Sequence, residues 1–340
     1  MAVYSPAHRD IFTVRGNRQP VAIGDVTKGK TMTLEQYYKN LRVPGGKVDA
    51  VLDTDAYNEI DDQFALTYML LAKERINTLG ICAAPFKNNR SESAADGMNK
   101  SYDEIIKVLD LMGEHDMKSK VYRGSEIFMK NENEPVISDA AEYIAREAAA
   151  HTPEAPLYVV ALGAITNVAS AILINREAMR ENTVIVWLGG PSHNWVDSRE
   201  FNMMQDVAAA RIVFGCGAPL VQLPCQGVVS EFRTTRPELE FWLKGTNPIG
   251  DYLVRNAINE AESYAAGKAW SRCIWDVTAV AWLLNDKDRF MGSYLTPAPI
   301  PEYDHRYGFD PRRHMIRYVF RINRDALFTD LFARIAGHNK

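Results

Sequence analysis

Short apolar runs of strand length alternate with segments of helical spacing along most of the 340-residue chain. Val48 to Leu52, Thr78 to Ala83, Leu157 to Leu162, Val184 to Leu188 and Leu220 to Leu223 read as buried strands, with a short one near Val121. Helical patterns separate them: about Ile60 to Ala72, the series Tyr102, Ile105, Ile106, Leu109, Met112, a helix opening at Ser138, Ile165 to Ile174, and one from about Asp206 that stops at Gly217. Helical patterns then dominate from Pro237 to Leu284, Met315 to Ile322 alternates like a strand, and Ala326 to Ala336 closes as a helix. A chain patterned this way buries its strands only as a mostly parallel open sheet with helices on both faces, an α/β fold. In such sheets ligands sit beyond the carboxyl ends of the strands, so motifs at those ends come first.

The length allows two domains or one large one. No repeat or low-complexity linker divides it, so one domain is expected over 47–340, behind an N-terminal extension, 1–46. Within that extension Thr33 and Gln36 have the spacing of a capping box for a short helix, Leu34 to Leu41, which Pro44-Gly45-Gly46 ends. Apolar residues are 46% and charged residues 24%, which excludes disorder and coiled coil. A net charge of −4 offers no basic surface for nucleic acid or anionic membrane. The apolar runs are too short to span a bilayer, and the first twenty residues hold no signal-peptide core. Cys82, Cys216, Cys225 and Cys273 form no CxxC pair and read as reduced thiols. A cytoplasmic location is therefore expected.

The densest chemistry follows the first core strand: Asp53-Thr54-Asp55, then Asp61-Asp62 where the next helix should open. Asp53 and Asp55 lie two apart and can share a strand face. The helix N-terminus favours the charge of Asp61 and Asp62. Two carboxylates about 4 Å apart repel by roughly 4 kcal/mol at an effective dielectric near 20. A hard divalent cation, held by oxygen ligands, would offset this, whereas the absence of nearby His or Cys argues against zinc. The alternative is a solvated acidic loop that caps a helix. A magnesium phosphotransferase of the haloacid-dehalogenase type also uses Asp-x-Asp, but Tyr57 breaks its motif.

The segment resembles the signature of the nucleoside hydrolase family, Asp-x-Asp followed shortly by Asp-Asp. Further blocks follow in family order: Leu162-Gly163-Ala164-Ile165-Thr166-Asn167, Leu188-Gly189-Gly190, Glu200-Phe201-Asn202 with Asp206, and Trp275-Asp276. The resemblance implies the nucleoside hydrolase fold, Rossmann-like, and calcium-dependent hydrolysis of ribonucleosides to free base and ribose. It implies Asp55, Asp62, Asp276 and the Leu162 carbonyl as calcium ligands, and Asp55 as general base toward a metal-activated water. Substrate-binding positions would be Asp61, Asn194, Glu200, Asn202 and Trp275, with Asp53 supporting. His193, Trp195 and Asn88 are further candidates beside the sugar or base. A small-molecule ribonucleoside is the expected partner, and the family implies a homodimer or homotetramer.

Two departures stand out. Five residues, Ala56 to Ile60, separate Asp55 from Asp61 where the family has three, so the loop must bulge and Tyr57, Asn58 or Glu59 can enter the pocket. Trp275 stands where many members carry a His that protonates the departing base. Purine-preferring members share this Trp, and stacking on it is worth roughly 1–3 kcal/mol per base, so purine nucleosides are expected to be favoured. Two other readings are a modified nucleoside or other riboside as substrate, and a calcium-dependent ribosyl binder without turnover.

Overall fold

The computed structural model describes residues 31–338. Eight strands form one sheet in the spatial order Val121–Arg123, Ile76–Ala83, Val48–Thr54, Leu157–Ala161, Thr183–Leu188, Leu220–Leu223, Met315–Ile322 and Met291–Pro297. Every neighbouring pair is parallel except the last, which is antiparallel. The mostly parallel open sheet expected from the alternation is what the chain forms. The antiparallel edge strand is absent from the sequence reading because Met291–Pro297 is only half-buried and its apolar pattern is weak.

The first strand leaves toward Ile76–Ala83 on one side, and the chain later returns to pair Leu157–Ala161 on the other. The sheet therefore reverses its winding between these two strands. Beyond their carboxyl ends a crevice opens that no crossover helix fills. Two apolar cores flank the sheet: Ala50 and Leu52 face one, Val51 the other, as the twofold periodicity of a strand requires.

The expected helices form with small shifts at their ends. Ser138 caps Asp139–Ala150 by accepting from the Ala141 amide, and Asp206 caps Val207–Gly215 by accepting from that of Ala209. Gly217 takes the left-handed conformation, φ 81°, just past that helix. The stretch read as helical from Pro237 to Leu284 divides into Arg236–Leu243, Pro248–Ala265, a two-residue strand Arg272–Cys273 and the short helix Val277–Trp282. That strand pairs with Arg233–Thr234.

Most of the N-terminal extension lies outside the described residues. Its last part forms the helix Leu34–Asn40, capped by Thr33, whose Oγ1 accepts from the Gln36 amide. The Gln36 side chain donates to Asn40 rather than returning to the cap, so only half of a capping box forms. Tyr37 donates its hydroxyl to the Met315 carbonyl, and Asn40 donates to that of Pro153. Among the described residues no helix is long and apolar enough to cross a membrane. All four cysteines are free.

Candidate active site

At the reversal point Asp53 lies at the end of the first strand and Asp55 just beyond it, and Leu162 and Gly163 follow the strand Leu157–Ala161. The Leu162 amide donates to the Asp53 carbonyl at 2.8 Å, which clamps the two strand ends together. Asp61 and Asp62 are the first residues of the helix Asp61–Leu71, as their helix-opening position implied. Asp276 immediately precedes the helix Val277–Trp282 on the facing side, with no capping bond from its side chain to that helix.

These elements enclose a pocket of about 120 Å³. Its floor and walls include Asp55, Asp61, Asp62, Leu162 and Asp276, with Glu200, Asn202 and Trp275. Carboxylate oxygens of Asp61, Asp62 and Asp276 lie within 4.8 Å of one another. Asp55 adjoins them; its Oδ2 is buried and, among the described residues, has no hydrogen-bond partner. Burial pushes every one of these carboxyls upward, Asp61 to about 8 and Asp62 to about 6, and mutual repulsion raises Asp55 and Asp276 further. Thr54 opposes this at Asp62 by donating its hydroxyl. The only basic side chain ion-paired to the group among the described residues is Arg272, 3.9 Å from Asp61. Acidic oxygens crowded out of water, with one of them unpartnered, suit a hard divalent cation.

Asp53 lies beneath the pocket rather than on its wall. Its Oδ1 accepts from Asn167 at 2.8 Å, and Asn167 also donates to the Ala83 carbonyl and accepts from the amide and hydroxyl of Ser125. Asn167 thus ties together the ends of three strands. Burial raises Asp53 to about 7 against the help of that bond.

Asn202 donates its amide to the carbonyls of Leu162 and Leu188, at 2.6 and 3.0 Å, which leaves its oxygen for a ligand. Glu200 caps the short helix Phe201–Gln205. Its oxygens accept from the backbone amides of Gly190, Asn202 and Met203, so much of its capacity serves the fold. Asp206 accepts from Thr166 and from the Met129 amide, again a fold-building role.

Four candidates lie apart from this constellation. Asn194 and Trp195 occupy an exposed turn, because the loop after Gly190 is short and folds outward; Trp195 rests against Gly227. His193 bonds Gln222 at 2.9 Å and sits among Tyr307, Phe309 and Tyr318, where burial lowers its pKa. Asn88 reaches the site indirectly, donating to Asn58 at 2.7 Å.

The lengthened loop does enter the pocket: Asn58 and Glu59 line it. Glu59 pairs with Arg272, which also holds Glu260 at 3.0 Å. Sequence reasoning missed Arg272, Gln226 and Cys225. Nothing marks Arg272 in the sequence, since a lone Arg on a two-residue strand has no pattern. Gln226 and Cys225 follow the end of Leu220–Leu223, and that strand-end position was the available signal.

The profile described as inosine-uridine preferring nucleoside hydrolase matches residues 50–322. The pyrimidine-specific ribonucleoside hydrolase RihA of Klebsiella pneumoniae (strain 342) is 26% identical over 194 residues, 53% of this chain and 60% of that protein. Probable uridine nucleosidase 2 of Arabidopsis thaliana is 30% identical over 132 residues, 37% of this chain and 39% of that one. The chain thus spans less than two thirds of the length of these curated relatives. Among solved structures, a purine-preferring ribonucleoside hydrolase from Gardnerella vaginalis superposes with a TM-score of 0.65 at 19% identity, over 85% of this chain and 98% of that one. The type III effector XopQ, complexed with adenosine diphosphate ribose, gives 0.62 at 16% identity, over 90% and 99%. At these identities the two structures share the fold.

Proposed function

The chain belongs to the nucleoside hydrolase family, and from that membership we propose that it hydrolyses the N-glycosidic bond of ribonucleosides to free base and ribose. The observation that carries the reading is the convergence of Asp55, Asp61, Asp62 and Asp276 on one buried pocket at the point where the sheet reverses. Asp55, Asp62, Asp276 and the Leu162 carbonyl would hold calcium, with Asp61 close enough to share the site. A bound divalent ion supplies a water of lowered pKa.

The protein's own groups do the rest. Asp55 accepts the water's proton as general base. The surrounding carboxylates stabilise the positive charge that an oxocarbenium-like transition state develops on the ribose. Asp61 and the Asn202 oxygen hold hydroxyls of the sugar, so that C1′ faces the water. Glu200 positions the segment that carries Asn202. Asp53 fixes the strand end through Asn167. Trp275 offers its face to the base, which supports a preference for purines, whose stacking area is larger; the curated relatives above are named for pyrimidines.

The test is release of free base from inosine, guanosine, adenosine, uridine and cytidine by purified protein with calcium, with Asp55→Asn as control. Purine bases released by the parent protein and lost in the variant are the expected result. Pyrimidine release alone keeps the activity and removes the stacking argument. Ribose binding without any turnover makes the protein a binder.

A second reading, a modified nucleoside or other riboside as substrate, draws on the lengthened loop and the larger cleft beside it. The XopQ structure contains such a compound, adenosine diphosphate ribose, on the same fold. Free thiols at all four cysteines fit a reducing, cytoplasmic setting. A homodimer or homotetramer completes the proposal, to be read by light scattering.

A further inference from the structure

Behind Asn58 and Glu59 lies a second, larger cleft of about 680 Å³. Both residues line it and the 120 Å³ pocket, so the inserted loop is the partition between them. The pocket holds Trp275 and the cleft opens beyond Glu59, so a base stacked on Trp275 reaches the partition between the two spaces.

Three features decide what that group is. First, no histidine lines either space among the described residues. The carboxyls of the cleft are already ion-paired or bonded: Glu59 and Glu260 to Arg272, Glu104 to Lys107 and Tyr252. The Cys225 thiol is pushed well up by burial. Among the described residues, neither an imidazole nor an unpaired carboxyl lines the cleft to protonate a departing base. Second, eight carboxyl groups line the two spaces together, against two basic side chains, Arg90 and Lys107, with Arg272 behind the wall. A divalent ion leaves the negative charge in excess, and a low-dielectric cleft focuses that field. Third, the mouth already holds a cation on an aromatic face: the Arg90 guanidinium lies 4.5 Å from the centroid of the Tyr57 ring. The ring of Trp275, in the pocket, has no aromatic or cationic partner among the described residues.

Resting on the hydrolase reading above, we propose that the preferred substrates are ribosides whose base is itself cationic, such as N-ribosylpyridinium or N7-alkylated purine compounds, with Glu59 as the residue that selects the charge. Such a base needs no acid. The water oxygen bonds to C1′ as the C1′–N⁺ bond breaks, and the bonding pair passes to the ring nitrogen, which becomes neutral. The water's proton passes to Asp55 and then to solvent. Ribose, neutral base and one proton result.

The test compares N7-methylguanosine with guanosine on the calcium-loaded protein. The expected kcat/KM ratio exceeds the ratio of the two uncatalysed rates by about tenfold, the scale of one partly screened charge pair, and collapses toward it in Glu59→Gln. A ratio no larger than the uncatalysed one, or an equal loss on both substrates in the variant, overturns the proposal. Should Glu59→Gln fail to fold, the parent protein still decides: N-methyl-3-carbamoylpyridinium must bind at least about tenfold more tightly than neutral 3-methylbenzamide, and equal affinity overturns the proposal. Absence of base release from every riboside is a failure of the hydrolase reading instead, and calorimetric binding of the same pair still tests the charge preference.

Discussion

A Cβ placed on Gly163 would lie 2.7 Å from Oδ1 of Asp55, closer than packed atoms approach. The glycine after the Leu157–Ala161 strand therefore makes room for the carboxylate that ends its neighbour. It is required here by close approach rather than by a left-handed backbone. Gly163→Ala must displace the Asp55 carboxylate by a substantial fraction of an ångström. Misplacement on the ångström scale costs about 10²-fold in a positioned reaction. The expected outcome is a fall in kcat of about that size, with the circular dichroism spectrum kept. Unchanged turnover would show that Asp55 is not the base.

Asn167 yields a stability prediction. It serves Asp53, the Ala83 carbonyl and Ser125 at once, in full burial. Asn167→Leu strands all three, and leaving a buried polar group unsatisfied costs about 1–3 kcal/mol each. A loss of Tm of several degrees is expected, together with weaker calcium binding, because Asp53 and Asp55 share one strand end. Differential scanning fluorimetry with and without calcium reads both. A Tm within a degree of the parent would contradict the network's role.

Much of this was legible beforehand, and the reasons differ by residue. The sheet could be read because buried parallel strands are continuous apolar runs, as at Val184 to Leu188. The floor of the pocket could be read because Asp55, Asp61 and Asp62 are close in sequence, between a strand end and the helix start that follows it. Its upper wall was harder. Asn194, Trp195 and His193 belong to a short loop whose direction depends on packing against Tyr307 and Tyr318, more than 100 residues away in the chain. Arg272 was invisible for a similar reason, since its partners Glu59 and Glu260 are distant in sequence and no periodicity marks a lone ion pair. Asn58 and Glu59 fell between: the insertion was countable, but its path was not.

Removing the metal should change how stability depends on pH. In the metal-free protein burial raises Asp61 to about 8 and Asp62 to about 6, where an unfolded Asp titrates near 4. The folded state then binds more protons than the unfolded state across that interval. Stability contributed by these groups is fully present below about pH 4 and is lost as pH rises through 6 to 8. With a chelator present, Tm should therefore fall between pH 5 and pH 8. Saturating calcium should flatten or reverse the slope, because the ion holds the carboxylates ionised and its affinity rises as protons leave. The same pH profile with and without calcium would place the ion elsewhere.

Arg272 is the counter-ion on which the inserted loop depends. It is buried and reaches Glu59, Asp61 and Glu260, three carboxyls from two segments distant in the chain. Arg272→Met keeps most of the volume and deletes the charge. Breaking a buried ion pair by removing one partner costs about 3–5 kcal/mol, and here the unpaired charges would also push the loop away from Asp61. Lower Tm is expected, with KM rising more than kcat falls, because in the proposed site Asp61 would hold the sugar while Asp55 keeps its place after the first strand. Lys in the same place restores charge but not the planar fork that bridges Glu59 and Glu260, so Arg272→Lys should recover stability only in part. A drop in kcat alone, at unchanged KM, would mean that Arg272 acts on the reacting atoms instead of on the loop proposed to hold the ribose.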